Sequence, residues 1–133
     1  MLKITVDTNT LISATITKGN EFELLRLARL GRIKLILSPQ ILKEFKEVIS
    51  RPKFGFSQEQ INNALKQIIN VSSIVMPSIK VNIIKDDPED NKILECAVSG
   101  KVDYIVSGDD HLLKLKEYKG IKIVRTMDIL KLV

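Results

Sequence analysis

A three-layer α/β/α domain with a central, mainly parallel sheet is the fold this sequence predicts, and two observations predict it. Runs of β-forming residues alternate with helical patterns along the chain, as in a parallel sheet covered on both faces. Two short acidic signatures, VDTNTLIS from Val6 and IVSGDDHLL from Ile105, each follow β-formers and open onto a helical pattern. In both, a carboxylate (Asp7, Asp109) stands where an apolar strand should stop. Parallel α/β sheets bind ligands at the carboxyl ends of their strands, so the two acids are expected to meet at one sheet edge.

The elements follow in order. Lys3 to Asp7 reads as a buried strand, followed by a helix over Thr8 to Ile16. Asn20 with Glu23 has capping-box spacing before Leu24, Leu25, Leu27, Ala28 and Leu30, which predicts a second helix ending at Gly31. Ile33 to Leu37 is a strand. Ser38-Pro39 then starts a helix, with the cap followed by proline at the first position, and this helix should stop before Pro52. Ser57 with Gln60 opens another helix, through Asn70. Val71 to Met76 and Ile79 to Ile84 look extended. Asp87-Pro88-Glu89-Asp90 starts a helix that ends near Gly100, with Asp87 as its cap. Tyr104 to Ser107 is a strand, Asp110 to Leu115 a short helix and Ile121 to Val124 a last strand, after which Thr126 caps a closing helix to Leu132.

No repeat, low-complexity tract or linker interrupts this order, so residues 1–133 are expected to form one domain. No apolar run approaches the ~20 residues of a membrane span, and no signal peptide is read at the start. The single cysteine excludes an internal disulfide and fits a cytoplasmic protein. Cys96, among Ile93, Leu94 and Ala97, reads as core. A net charge of +5 and a pI near 9.4 favour a polyanionic partner. Arg26, Arg29 and Arg32, three apart, form either a basic stripe or a solvated helix face.

Two further acids accompany Asp7 and Asp109. Glu44 lies beside Ile41, Phe45 and Val48 on the helix after the second strand, so one of its flanks should approach the core. Asp90, three positions after Asp87, either caps its helix or points into a shared site. Carboxylates within ~4–6 Å repel one another, and at least one pKa should rise. A divalent cation removes that penalty, and hard oxygen ligands suit Mg²⁺ or Mn²⁺. One histidine and one cysteine make a structural zinc site a poor reading. A basic chain with a carboxylate–Mg²⁺ pocket has what phosphodiester hydrolysis needs.

VDTNTLISA, the Glu44 helix, DPEDNKILECA and YIVSGDDHLLKL resemble the motifs of the PIN domain, in order and at similar spacing over nearly the whole chain. The resemblance is to the stand-alone, VapC-like toxins of toxin–antitoxin pairs, in which a stretch like Arg51-Pro52-Lys53-Phe54 also occurs. It implies a Mg²⁺- or Mn²⁺-dependent endoribonuclease with Asp7, Glu44, Asp90 and Asp109 as the acidic quartet. Asp7 and Asp109 would hold the metal directly, Asp90 directly or through water, and Glu44 would orient or deprotonate the attacking water. Asn9 and Ser107 match polar positions beside the first and last acids; turn or cap chemistry is their other reading. His111 departs from the pattern, because many relatives carry an Asp there; Asp110, just before it, is the alternative acid. This bears on a second metal position more than on the first. His111 is either a surface residue or a group that contacts phosphate or acts as an acid.

Other readings compete. Asp7-Thr8-Asn9-Thr10 with Gly108-Asp109-Asp110 is similar to a haloacid-dehalogenase phosphatase, but Asn9 replaces that family's general acid. A receiver domain would want an acceptor Asp on a middle strand, where this chain has Leu37-Ser38-Pro39. A PIN fold that has lost catalysis would be a binding module. With four Phe, two Tyr and no Trp, RNA would be held by its backbone rather than stacked on aromatic platforms. A small antitoxin is implied by the resemblance alone. The apolar excess of the Glu21 to Leu30 helix suits a homodimer interface or a thicker core.

Overall fold

A computed structural model describes residues 1–133 and contains six strands and seven α-helices. Strand β1 (Leu2–Val6) leads to α1 (Thr8–Ile16) and α2 (Asn20–Arg29), and β2 (Ile33–Leu37) to α3 (Pro39–Ile49) and α4 (Gln58–Asn70). Strand β3 (Ser72–Ile74) precedes α5 (Asp90–Gly100), and β4 (Tyr104–Val106) precedes α6 (Asp110–Leu113). A hairpin of β5 (Glu117–Tyr118) and β6 (Ile121–Val124) and a last helix, α7 (Thr126–Leu130), complete the chain. The strands lie in the order β3-β2-β1-β4-β6-β5, all parallel except the β5–β6 pair. This is the mainly parallel, helix-flanked sheet that the alternating pattern predicts.

The winding positions the site. From β1 the chain steps to β2 and then β3 on one side; the crossover through α5 then reaches β4 on the other side of β1. Right-handed crossovers place α1 to α4 over one face and α5 and α6 over the other. The direction reverses between β1 and β4, and a crevice opens at their carboxyl ends. Asp7 follows β1, Asp109 lies just beyond β4, and the Asp7 N–H donates to Val106 O at 3.2 Å, extending the pairing beyond the end of β1.

Ile4, Leu35, Leu37, Phe45, Leu94 and Ile105 are buried at the centre of one continuous apolar cluster. Helix α5 packs so closely on β2 that a Cβ at Gly100 would lie 2.5 Å from Ile36 Cγ2. Cys96 is buried there, its Sγ 3.8 Å from Thr5 Oγ1, and burial pushes its thiol up to about 11. The core reading of Cys96 accounts for all of this.

Several local signals are realised. Ser38 Oγ accepts from Ile41 N with Pro39 in the first turn. Ser57 and Gln60 form a reciprocal capping box. Gly31, φ +75°, follows α2 in the left-handed region that glycine adopts without strain.

Four expectations need correction. Gly19, not Asn20, precedes α2, and Glu23 pairs with Arg26 instead of closing a capping box. Arg26 is thereby neutralised, which weakens the basic-stripe reading. Arg125 precedes α7, where Asp128 Oδ2 accepts the Arg125 N–H, so Thr126 is no cap. Ile79 to Ile84 pairs with no strand. Its apolar residues Val81 and Ile84 are buried, but side chains of α5 take up its backbone groups. Glu95 Oε2 accepts from Val81 N at 2.9 Å, and Asn91 Oδ1 accepts from Ile83 N and Ile84 N. Finally, α5 begins at Asp90 without a side-chain cap, so Asp87 is freed from the capping role.

Candidate metal centre

Each acid of the predicted quartet reaches the crevice from a different element. Asp7 is the N-cap of α1: its Oδ1 accepts from Thr10 N at 2.9 Å, and its Oδ2 accepts from Ser107 Oγ. Ser107 Oγ also accepts the Asp109 N–H at 2.9 Å, so one hydroxyl ties the two strand-end acids together. Asp109 caps α6 through Oδ1, which accepts from His111 N at 2.6 Å. Glu44, half-buried, comes from α3, and buried Asp90 from the first turn of α5.

Asp7, Glu44, Asp90 and Asp109 line one cavity of about 200 Å³, together with Thr8, Asn9, Arg51, Asp87, Glu89 and the apolar Val48 and Ile93. The geometry thus brings the four acids to one place, with Asn9 on the wall and Ser107 behind it. Asp110 is exposed on the first turn of α6 and does not line the cavity.

The electrostatics are those of anions short of partners. Burial raises the Asp7 carboxyl above its ordinary range, against lowering hydrogen bonds from Ser107 and Thr10 and with added repulsion from Asp109. Asp90 is pushed up to about 7, first by burial and then by the charges of Asp109, Asp87, Asp7 and Glu44. Two buried side-chain oxygens, Asp90 Oδ2 and Thr8 Oγ1, have no hydrogen-bond partner, and both residues line this cavity. Buried polar groups are otherwise almost always satisfied, so an orphan pair in an acidic notch fits a divalent cation and its water as partners. The donor set, carboxylates and a hydroxyl, is the hard-oxygen set that Mg²⁺ or Mn²⁺ takes. The capping reading of Asp90 fails, since its carboxylate caps nothing.

Asp87 and Arg51 were missed as site residues from sequence alone. The ligand atoms of Asp87, Asp90, Asp109 and His111 all lie within 4.8 Å of one another. Arg51, from the turn before the 3-10 segment Pro52–Phe54, brings a cation to the acidic wall. A second polar cavity of about 360 Å³ adjoins the first; it shares Asn9 and Asp109 and adds Ser13, Asn20, Thr126 and Arg125.

A model of the PIN domain matches residues 3–111, spanning β1 to the start of α6 and all four acids. The chain belongs to the PIN-domain family. Membership displaces the phosphatase and receiver readings. No curated protein matches the sequence. Among solved structures, this PIN domain is similar to VapBC2 from Rickettsia felis bound to a DNA fragment from their promoter, at TM-score 0.66 and 17% identity over 92% of this chain and 97% of that one. DNA-bound VapBC from Salmonella typhimurium gives 0.65 and 20% over 95% and 99%. PAE2754 from Pyrobaculum aerophilum gives 0.60 and 12% over 98% and 89%. At these identities the likeness shows the shared fold.

Proposed function

We propose that this PIN domain, as a single domain of 133 residues, is a Mg²⁺- or Mn²⁺-dependent endoribonuclease and the toxin of a toxin–antitoxin pair. The observation that carries the nuclease reading is the pair of orphaned buried oxygens, Asp90 Oδ2 and Thr8 Oγ1, inside a cavity walled by acids. Family membership supports a nuclease in general. The basic net charge of +5 supports a polyanionic substrate.

In this reading Asp7, Asp90 and Asp109 hold the cation. Both Asp7 oxygens already accept one hydrogen bond and keep a lone pair each for a second partner. A divalent ion there supplies Lewis acidity, stabilising negative charge on a phosphoryl oxygen and making water a better nucleophile. Glu44, which lines the same cavity from α3, would orient the attacking water and accept its proton. Ser107 fixes Asp7 relative to Asp109, and Asn9 and Thr8 complete the polar lining. Arg51 meets the phosphate at the rim, and the neighbouring cavity with Arg125 accommodates the adjoining nucleotide.

The antitoxin partner rests on the VapBC relatives. In this reading its place is a cleft of about 640 Å³ lined by α2, α4 and β2. There Phe22, Leu25 and Ala28 of α2 line the cleft, and Leu25 and Ala28 also pack against the core. Leu30, which follows α2, is exposed, and homodimerisation is part of the same proposal. No helix is long and apolar enough to cross a membrane, and a cytoplasmic site of action is proposed with the toxin reading.

The test is RNA cleavage by purified protein in Mg²⁺, Mn²⁺ or EDTA, alongside Asp7→Asn and Asp90→Asn. Loss of cleavage in EDTA, and a fall of at least about a hundredfold in each variant, is expected for removal of a metal ligand. Cleavage indifferent to EDTA and to both substitutions overturns the metal mechanism. Intact RNA under every condition favours a binding module.

A further inference from the structure

His111 stands where the resemblance would put a further acid, and the structure surrounds it with carboxylates. Its Nδ1 lies 3.7 Å from Asp109 Oδ1 and its Nε2 4.0 Å from Asp86 Oδ2, while its ligand atom joins those of Asp87, Asp90 and Asp109 within 4.8 Å. An acidic group of this kind is common on surfaces and would mean little alone. Here one member, Asp90, is buried and has an oxygen that no protein group satisfies. His111 itself is half exposed, its side chain 43% accessible, so its ring is not placed by core packing.

We propose that His111 donates an imidazole nitrogen to the cation that Asp90 and Asp109 share in the reading above, with Asp87 beside it as a further oxygen donor, and that the centre therefore prefers Mn²⁺ over Mg²⁺. The inference deepens the metal-dependent reading above and rests on it. Mg²⁺ takes oxygen ligands and gives up water reluctantly, so one nitrogen in the set costs it affinity. First-row transition ions accept imidazole nitrogen alongside carboxylate oxygen. Both ring nitrogens face carboxylates, Nδ1 that of Asp109 and Nε2 that of Asp86, so a cation bound at one nitrogen leaves the other beside an acid that can accept its proton. Asp87, whose side chain does not cap α5, lies within 4.8 Å of the other donors and completes the set.

His111 is the chain's one histidine, which makes the experiment unambiguous. Untagged protein is loaded with Mn²⁺ alone and examined by pulsed electron paramagnetic resonance for nitrogen coupling of the imidazole type. His111→Asn and Asp90→Asn are measured in parallel, and Mn²⁺ and Mg²⁺ affinities by calorimetry. Because His111 is exposed, its variants should fold, and circular dichroism checks that they do. The expected result is nitrogen coupling in the parent protein and, in His111→Asn, its loss together with a fall in the Mn²⁺-to-Mg²⁺ preference of about tenfold or more. Mn²⁺ bound without nitrogen coupling, yet released by Asp90→Asn, overturns the role of His111 and leaves the acidic centre standing. No Mn²⁺ binding, or binding indifferent to Asp90→Asn, overturns both.

Discussion

Asp90 carries a charge that its surroundings oppose. An unfolded chain titrates this carboxyl near 3.8, whereas burial and four neighbouring acids push it up to about 7 in the folded protein. A raised folded pKa favours the folded state while the group is protonated and disfavours it once ionised, so the direction is set. Metal-free protein loses stability from this residue as pH climbs between about 4 and about 7, with the loss complete above. Asp90→Asn should therefore match the parent near pH 4 and exceed it at pH 8 by on the order of 2 kcal/mol, read by urea unfolding in EDTA. Added Mn²⁺ should stabilise the parent and leave the variant unchanged. A variant less stable than the parent at pH 8 in EDTA would contradict this account. Sequence exposed Asp7 and Asp109 because an acid at the end of an apolar strand has few structural reasons to be there. Asp87 stayed hidden because an acid before Pro88 at a helix start has an ordinary explanation, and only coordinates show that α5 begins without it. Arg51 was equally opaque, since nothing local distinguishes a rim arginine from a solvated one.

At the scale of elements, the stretch from Ser78 to Ile84 forms a strap over α5. Its apolar Ile79, Val81, Ile83 and Ile84 read as extended, but no neighbouring strand is available, and of these only Val81 and Ile84 are buried. Asn91 instead accepts from Ile83 N and Ile84 N and donates to Ile84 O and Pro88 O. Apolar composition detects such a strap and cannot tell where its backbone partners come from. The two-residue strand β5 escaped notice for the simpler reason that it is too short to show a period. Since Asn91 adjoins Asp90 and binds the turn after Asp87, it also fixes the acids on this side of the site. Asn91→Ala should cost on the order of 2–3 kcal/mol by leaving buried backbone groups unpaired, measured by thermal or urea unfolding. It should weaken Mn²⁺ binding as well. An unchanged unfolding midpoint would remove the clamp from the account.

For the molecule as a whole, the sheet's change of winding direction between β1 and β4 matters more than any one motif. It brings residues 100 positions apart, Asp7 and Ser107, into hydrogen-bond contact. The alternation of strands and helices made this order legible in the sequence, while the two polar cavities and the cleft beside α2 depend on side-chain packing and were not. If the proposed ribonuclease reading holds, charge should govern how RNA docks over the acidic notch. Binding to cleavage-deficient Asp90→Asn should weaken steeply with salt, and removing Arg51 or Arg125 should reduce the slope by about 0.7 for each phosphate that is no longer neutralised. A slope unchanged by both substitutions would place the RNA elsewhere. The most direct test of convergence is anomalous diffraction at the manganese edge from crystals grown in Mn²⁺. A peak is expected about 2.1 Å from a carboxylate oxygen of Asp90, within the cavity that Asp7, Glu44 and Asp109 line. Density free of manganese there, or a peak only on an unrelated surface, would contradict that convergence.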